Sequence, residues 1–289
     1  MPLLAPTPEL ELDVPKGAPA VSHTVVSFRD GTHIAREDQL AVEEPLEIRL
    51  GGKSVAVTMR TPGHDEELVA GFLLSERVIE RSADVDVIAH YTGPEDDPRI
   101  GNVINVLLNS PGLAVHERLH RSFFTSSACG VCGKSSLEAI DMELVPIAGD
   151  VAVPLETLYA LGPALASAQT TFEQTGGLHA AALFDLEGRL LAVREDVGRH
   201  NAVDKVVGHM LLQGRVPLDR HILMVSGRAS FEIMQKALVA RIPVVAAISA
   251  PSSLAVQLAL ANGVTLIGFL RPGRLNVYAN AHRIRVTPA

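Results

Sequence analysis

The sequence is 289 residues long and carries a formal net charge of −8 at pH 7. Hydrophobic residues make up 47% of it and charged residues 20%, a balance that supports a sizeable core and excludes global disorder. The acidic balance argues against a broad nucleic-acid surface, and no charge-free apolar run reaches the roughly 18 residues of a membrane span.

The N-terminus predicts a tail rather than a targeting signal. Residues 1–21 are rich in proline and lack periodicity, so we expect them to be flexible. They have no basic segment followed by an apolar one, as a signal peptide would. With only two cysteines and no export signal, the expected location is the reducing cytoplasm.

Residues 22–125 predict a smaller N-terminal α+β domain. HTVVSF indicates a strand, and LAVEEPLEIRLGGKSVAVTMRT indicates two strands joined at Gly51 and Gly52. GHDEELVAGFLLSERVI begins with acidic residues and continues with apolar ones at helical spacing, which predicts an amphipathic helix. NVINVLL predicts a further strand.

Residues 137–289 have a different pattern of predicted elements, in which apolar strands alternate with helices. PLETLYALGPALASAQTTFEQ predicts a helix that Pro163 should kink or break. LHAAALF, RLLAVRE, HILMVSG, PVVAAIS and VTLIGFL predict strands, with helices after the second, third and fourth. Continuously apolar strands of this kind favour a parallel or mixed sheet covered on both faces, hence an α/β fold.

The segment SSACGVCGK holds both cysteines, Cys129 and Cys132, and its Gly and Ser residues predict a mobile loop over 126–136. Four interpretations are open: half of a zinc site, a redox dithiol, a sulfur carrier, or two buried thiols. The flanks disfavour burial, and no second cysteine pair supports zinc. A helix beginning after Cys132, with Lys134 nearby, would lower the pKa of an accessible thiol.

Basic turns follow several predicted strands of the second half. Arg199 and His200 lie in EDVGRHNAVDK, Arg228 lies in SGRAS, and Arg271 and Arg274 lie in FLRPGR. Ligands of open α/β sheets bind at the carboxyl ends of the strands, so these arginines predict a site for a phosphorylated ligand.

Three polar residues near these turns have structural interpretations. Asn201 and Asp204 are spaced like a helix N-cap and its partner, and we weigh that role evenly with a functional one. His179 begins a strand in TGGLHAA, and a structural hydrogen bond is the favoured interpretation for it.

The segments SSACGVCGK, TGGLHAAALF, EDVGRHNAVDKVVG, SGRASFEIMQK, SAPSSLAVQLA and GFLRPGR, in that order, resemble the FdhD/NarQ family of sulfur carrier proteins. TPGHDEELVAGFLLSERVI fits the N-terminal helix region of the family. The resemblance covers roughly residues 22–285 and leaves out the proline-rich tail.

The resemblance implies a sulfurtransferase that takes sulfur from a cysteine desulfurase. The acceptor would be a molybdenum cofactor in its bis-guanine dinucleotide form, bound as substrate with no permanent cofactor, before insertion into formate dehydrogenase. Cys129 would carry the persulfide and Cys132 would assist. The cofactor-binding stretch would comprise Phe269, Leu270, Arg271, Pro272, Gly273 and Arg274.

The resemblance also implies a cytidine deaminase-like three-layer α/β/α fold for the second half, without the zinc site, and a homodimer. Arg228, Arg271 and Arg274 are the expected phosphate contacts, with Arg199 and His200 nearby, because the planar guanidinium group binds phosphate oxygens in pairs. Two alternatives are a zinc-dependent deaminase-like hydrolase and a non-catalytic molybdenum-cofactor chaperone.

Overall fold

A computed structural model describes residues 12, 14–94, 97, 99–109 and 145–286. The predicted loop 126–136, with Cys129 and Cys132, lies outside the described residues. Within the described ranges, no helix is both long and apolar enough to cross a membrane.

The first described part forms two small sheets and one helix. Its elements are β1 (Ala20–Arg29), β2 (Thr32–Ala41), β3 (Glu44–Leu50), β4 (Lys53–Arg60), α1 (Asp65–Ser75), a 3-10 turn (Ser82–Asp84), β5 (Val85–His90) and β6 (Val103–Leu108). β1 and β2 form an antiparallel ribbon, and the other strands form a sheet in the order β4-β3-β6-β5.

The β3–β4 hairpin turns at Gly51 and Gly52, as predicted. Both glycines have positive φ, 56° and 82°, which is the backbone conformation that a two-residue hairpin requires and that other residues rarely adopt.

The second described part forms a six-stranded mixed sheet with helices. Its elements are β7 (Val153–Pro154), α2 (Leu155–Ala168), α3 (Thr170–Thr175), β8 (His179–Asp185), β9 (Leu190–Asp196), α4 (Arg199–Leu212), β10 (His221–Val225), α5 (Phe231–Val239), β11 (Val244–Ala247), α6 (Ser253–Ala261), β12 (Thr265–Arg271), β13 (Arg274–Ala279), a 3-10 turn (Ala281–Arg283) and β14 (Ile284–Arg285). The large sheet has the order β13-β12-β11-β10-β8-β9, and β7 pairs with β14 separately. The predicted α/β architecture is confirmed.

Neighbouring residues of a strand point to opposite faces of the sheet, and in this sheet both faces are buried. In β10, Leu223 and Val225 pack into a core shared with α1, α4, α5 and α6. Ile222 and Met224 face the other side, where they join the buried leucines of α2. Burial on both faces explains why the sequence of β10 is apolar without alternation.

The N-terminal helix α1 is packed into the core of the second part. A Cβ atom added to Gly71 of α1 would collide with the backbone of Asp204, and one added to Gly208 of α4 would collide with the backbone of Glu67. Two facing glycines therefore let α1 and α4 touch backbone to backbone. The division into domains at residues 22–125 and 137–289 stays a prediction, but the two parts share one core.

Two features considered in the sequence, a break at Pro163 and an N-cap at Asn201, are not found in the structure. Pro163 does not break its helix, because α2 runs from Leu155 to Ala168 and buries Leu158, Leu161 and Leu165, so packing outweighs the missing backbone hydrogen bond. Asn201 is not the N-cap of α4. The N-cap is Gly198, whose backbone N–H donates to Asp196 Oδ1 at 2.7 Å.

Five strands of the described residues were not predicted, namely β2, β5 and β13 and the two-residue strands β7 and β14. β2, β5 and β13 each contain charged or polar residues, and few of their side chains are fully buried. They pair with β1, β6 and β12, and apolar residues of β5 and β13 also pack partly buried against the two cores.

Candidate anion-binding site

The predicted basic turns converge at one edge of the six-stranded sheet. β10, β11 and β12 are parallel, and β9 runs in the same direction because β8 is antiparallel to both of its neighbours. Arg199, Arg228 and Arg271 therefore lie at or just beyond strand ends on the same edge, here called the carboxyl edge. His179, at the start of β8, and Arg274, at the start of β13, lie there too.

A buried ion pair fixes the turn that precedes α4. Lys205 Nζ lies 2.7 Å from Asp196 Oδ2, and both side chains are almost fully buried. The Asp196 carboxylate also accepts hydrogen bonds from Gly198 N at 2.7 Å and from Asn201 Nδ2 at 3.0 Å. Burial raises the pKa of Asp196, and the Lys205 ammonium group and these hydrogen bonds oppose that shift.

The same ion pair joins the turn to the N-terminal part of the chain. Lys205 Nζ donates to Thr61 O at 2.8 Å, and Thr61 N donates to Asp196 Oδ2 at 3.2 Å. Asn201 donates to Met59 O at 2.8 Å. These polar residues of EDVGRHNAVDK are therefore occupied in holding the fold, and they are not available to a ligand.

Asp204 is likewise structural, since it is buried between three helices. Its carboxylate accepts hydrogen bonds from Ser75 Oγ at 2.9 Å and from Lys236 Nζ at 2.7 and 2.8 Å. The sequence spacing suggested that Asp204 helps to cap α4, but its carboxylate has other partners. It joins α4 to α1 and to α5.

Arg199, the first residue of α4, has a different environment. Its Nε is buried and has no hydrogen-bond partner within the described residues. A Cβ added to Gly227 would lie 4.0 Å from Arg199 Cδ and 3.4 Å from His179 Nδ1, so these three residues adjoin. Burial, and then the charge of Arg199, lower the pKa of His179, which leaves its imidazole neutral at pH 7.

His200 points to the N-terminus of α5. Its Nε2 lies 3.2 Å from Ser230 Oγ and 3.6 Å from Glu232 Oε2. Burial raises the pKa of Glu232, but hydrogen bonds with His200 and Ser230 outweigh burial and bring the pKa to about 2. Glu232 is therefore ionised at neutral pH, and its charge is directed at His200. No sequence pattern indicated Glu232, although SGRAS predicted the start of this helix.

Arg228 is exposed in the loop between β10 and α5 and has no ion-pair partner in the described part of the chain. The loop is held from behind, where Ser249 N donates to Gly227 O at 3.3 Å and Ser252 N donates to Ala229 O at 3.0 Å. Hydrogen-bonded backbone thus presents an exposed positive charge that no carboxylate of the described residues compensates.

The stretch from Phe269 to Arg274 forms the end of β12 and the turn into β13. Phe269 has a positive φ of 52° where the pairing with β13 is irregular, and its side chain is 42% exposed. A bulky residue in the left-handed region is a rare, strained conformation that often marks a functional position.

The remaining members of this stretch divide between core and surface. Leu270 is fully buried in the core, so only its backbone can reach a ligand. Arg271 is exposed, but its Nη1 donates to Ile248 O and to Leu270 O, both at 2.7 Å. Pro272, Gly273 and Arg274 form the exposed turn, and Gly273 has a φ of 73°.

The carboxyl edge is thus a row of arginines without carboxylate partners among the described residues, backed by a fixed loop. Guanidinium groups in this setting bind phosphate or similar oxyanions. The described ranges contain no group of three or more His, Cys, Asp and Glu residues that could hold a metal ion. Cys129 and Cys132 lie outside those ranges, so the structure does not relate them to this edge.

Comparisons with known proteins point in one direction. The sequence pattern of the FdhD/NarQ family matches residues 41–285. A sulfur carrier protein FdhD from Mycolicibacterium paratuberculosis is 55% identical over 264 residues, which cover 90% of this chain and 97% of that one. A protein of the same name from Streptomyces avermitilis is 51% identical over 270 residues, which cover 92% and 95%.

A solved structure shares the fold. It is the crystal structure of a protein assigned as a formate dehydrogenase accessory protein from Desulfotalea psychrophila. The two structures align with a TM-score of 0.72 at 26% sequence identity, over 93% of this chain and all of that one.

Proposed function

The chain belongs to the FdhD/NarQ family, and from this premise we propose that it is a sulfur carrier that serves the maturation of a formate dehydrogenase. The relatives named sulfur carrier protein FdhD and the likeness to a formate dehydrogenase accessory protein support this proposal. The single observation in the structure that carries it is the convergence of Arg199, Arg228, Arg271 and Arg274 at the carboxyl edge, which fits an anionic acceptor of sulfur.

In the proposed reaction, Cys129 receives sulfur from a cysteine desulfurase. The Cys129 thiolate attacks the outer sulfur of the donor persulfide, the S–S bond of the donor breaks, and the donor cysteine leaves as a thiolate. Cys129 then carries the outer sulfur as its own persulfide. No external oxidant or reductant is needed, because one persulfide replaces another.

Release then takes one of two balanced routes. A nucleophile of the acceptor can attack the outer sulfur, so that Cys129 leaves as a thiolate. Alternatively, the Cys132 thiol attacks the sulfur atom of Cys129, which forms a disulfide and expels hydrosulfide. The second route reduces the sulfane sulfur and oxidises both cysteines, so a dithiol reductant must restore them.

The proposed acceptor is the molybdenum cofactor in its bis-guanine dinucleotide form, bound at the carboxyl edge as substrate. Arg228 and Arg274 are exposed and contact its phosphates, and the exposed ring of Phe269 offers a face on which a guanine base can stack. Arg271 already donates to two carbonyl groups, so it contributes charge and shapes the turn.

The remaining expectations complete this proposal. We propose that the protein works in the cytoplasm as a homodimer, in contact with a cysteine desulfurase and a formate dehydrogenase. The cytidine deaminase-like character of the second half, the mobility of the loop 126–136 and the ligand contact of His200 also stay predictions.

Sulfur loading can be tested directly. The protein is incubated with a cysteine desulfurase and cysteine, and its intact mass is measured. We expect the wild-type protein and Cys132→Ala to gain one sulfur atom, and Cys129→Ala to gain none. A sulfur adduct that persists on Cys129→Ala contradicts the proposed role of Cys129.

The acceptor site is tested with guanosine diphosphate as the probe. We expect Arg274→Ala to lower the affinity in titration calorimetry, and the Arg271→Ala/Arg274→Ala double variant to lower it further. Arg274→Ala is the cleaner variant, because replacing Arg271 also removes two structural hydrogen bonds. Arg220→Ala, at the opposite edge of the sheet, is the matched control. Unchanged affinity in the double variant removes both arginines from the site.

A further inference from the structure

The pair formed by His179 and Arg199 is a feature of the carboxyl edge that the family resemblance does not assign. The two side chains come from the start of β8 and the start of α4, and Gly227, in the loop after β10, lies against both. We infer that His179 and Arg199 form an inner anion subsite that binds a phosphate group beside Arg228. This inference rests on the proposed function for the identity of the whole ligand, but not for the subsite itself.

The charge balance at the pair favours an anion. Within the described part of the chain, the guanidinium group of Arg199 has no ion pair, and its Nε is buried without a partner. A buried, unsatisfied donor is costly, and a guanidinium group without a carboxylate partner attracts an oxyanion to its charge. Arg199 is also the first residue of α4, a 14-residue helix. The positive end of the helix dipole there adds to the attraction for an anion.

The neighbouring acids do not neutralise Arg199. Asp196 is bound to Lys205 at 2.7 Å, and its other oxygen accepts hydrogen bonds from Gly198 and Asn201. Glu232 is engaged with His200 and Ser230. Both carboxylates therefore have cationic or hydrogen-bonding partners of their own, and the charge of Arg199 is left for a ligand.

His179 adds a neutral hydrogen-bonding group to this charge. No hydrogen bond to its ring is made within the described ranges, although the side chain is about half buried. Its lowered pKa keeps the imidazole uncharged near neutral pH, so it can donate one proton to a phosphate oxygen without adding positive charge. The structural role first expected for His179 therefore gives way to a ligand contact.

Gly227 places no side chain between the loop and the pair. Its φ lies outside the left-handed region, so the backbone there accepts other residues. A Cβ at this position would lie 3.4 Å from His179 Nδ1 and 3.6 Å from His179 Cε1, which is ordinary van der Waals contact. A methyl group thus fits without displacing the fold, while a larger side chain occupies the room between the loop and the two side chains.

Two variants and a control test the subsite in the full-length protein. Arg199→Gln removes the charge, and Gly227→Val fills the space, while Arg220→Gln removes an exposed charge at the opposite edge. Titration calorimetry measures binding of guanosine diphosphate and, separately, of inorganic pyrophosphate. We expect Arg199→Gln and Gly227→Val to weaken binding of both probes about tenfold, and Arg220→Gln to leave both unchanged.

Two further variants separate binding from folding. Arg199→Lys keeps the charge and should recover part of the lost affinity, and Gly227→Ala should bind more tightly than Gly227→Val. Melting temperatures are measured on the same samples. A loss of affinity that Arg199→Lys does not recover, with a lowered melting temperature, shows a structural role for Arg199 and overturns the inference.

The two probes distinguish the sources of the phosphate. Pyrophosphate binding that depends on Arg199, without binding of guanosine diphosphate, keeps the subsite and removes the nucleotide acceptor. Binding of neither probe by the wild-type protein, or equal binding by wild type and Arg199→Gln, overturns the subsite. Sulfur loading of Cys129 in the wild-type protein is measured separately, so that a failure of the proposed function is recognised independently.

Discussion

Two groups of charged side chains lie next to each other at the carboxyl edge, and their environments are opposite. The Asp196–Lys205 and Asp204–Lys236 pairs are buried. The Asp196 carboxylate also accepts hydrogen bonds from Gly198 and Asn201, and the Asp204 carboxylate also accepts one from Ser75. Arg199, Arg228 and Arg274 have no carboxylate partner within the described residues.

The contrast separates residues that hold the fold from those that can bind a ligand, although both kinds occur in EDVGRHNAVDK. A buried charge must be paired because its desolvation is costly. A charge left without a partner beside such buried pairs is therefore informative about ligands. The contrast predicts loss of stability from the first group and loss of affinity from the second.

The largest effect is expected from Lys205→Met. This change keeps the apolar stem but leaves the Asp196 carboxylate buried without its cation, which should cost about 3–5 kcal/mol of unfolding free energy. Urea denaturation measures it. Lys53→Met, at the exposed start of β4, is the control and should change stability by less than about 0.5 kcal/mol. A loss of unfolding free energy below about 1 kcal/mol in Lys205→Met contradicts the structural role of the Asp196–Lys205 pair.

A second stability effect concerns the contact between α1 and α4. Gly208→Ala places a methyl group into the backbone of Glu67 and should destabilise the protein by about 1–3 kcal/mol. Gly162→Ala, in the middle of α2, meets only Met224 and Ile248 side-chain atoms at 3.8 and 3.9 Å and should stabilise by up to about 1 kcal/mol. Equal effects of the two variants in urea denaturation argue against close packing of α1 on α4.

The second group is tested with Arg228→Gln. Because this side chain is exposed and unpaired, we expect its loss to weaken guanosine diphosphate binding about tenfold, with a change in stability within about 0.5 kcal/mol. Titration calorimetry and urea denaturation are compared with Arg220→Gln. A clear loss of stability in Arg228→Gln would place it in the structural group instead.

The smallest effect is expected at Glu232, which lies between the two groups. Its pKa falls from the usual 4.5 to about 2 in the folded protein. The ionised carboxylate therefore contributes stability that is complete above about pH 4.5 and is lost as pH falls toward 2.

Glu232→Gln should remove that contribution, about 1–2 kcal/mol after allowance for solvent screening, and flatten the acid limb of the stability profile. Unfolding free energies measured between pH 2 and pH 7 test this, with exposed Glu187→Gln as the control. An acid limb as steep as that of the wild-type protein shows that Glu232 is not held by His200 and Ser230.

Much of the fold was predictable because its strands and helices carry strong local signals. Burial on both faces makes β8, β10, β11 and β12 continuously apolar, and a glycine pair marks the β3–β4 hairpin. β2, β5 and β13 were not predicted because their polar and partly exposed residues interrupt any continuous apolar pattern. The break expected at Pro163 is absent because the packing of α2 outweighs the local preference of one residue.

The sequence by itself determined the family, the α/β class, the predicted roles of Cys129 and Cys132, and the arginines that follow the strands. Such signals are local, since residue types and their spacing are sufficient to carry them. Only the tertiary structure decided which polar residues of EDVGRHNAVDK are engaged in contacts that hold the fold together. Burial and partners depend on contacts between segments more than 100 residues apart, as between Thr61 and Lys205. The same contacts leave Arg199 without a partner beside His179, which no local pattern could indicate.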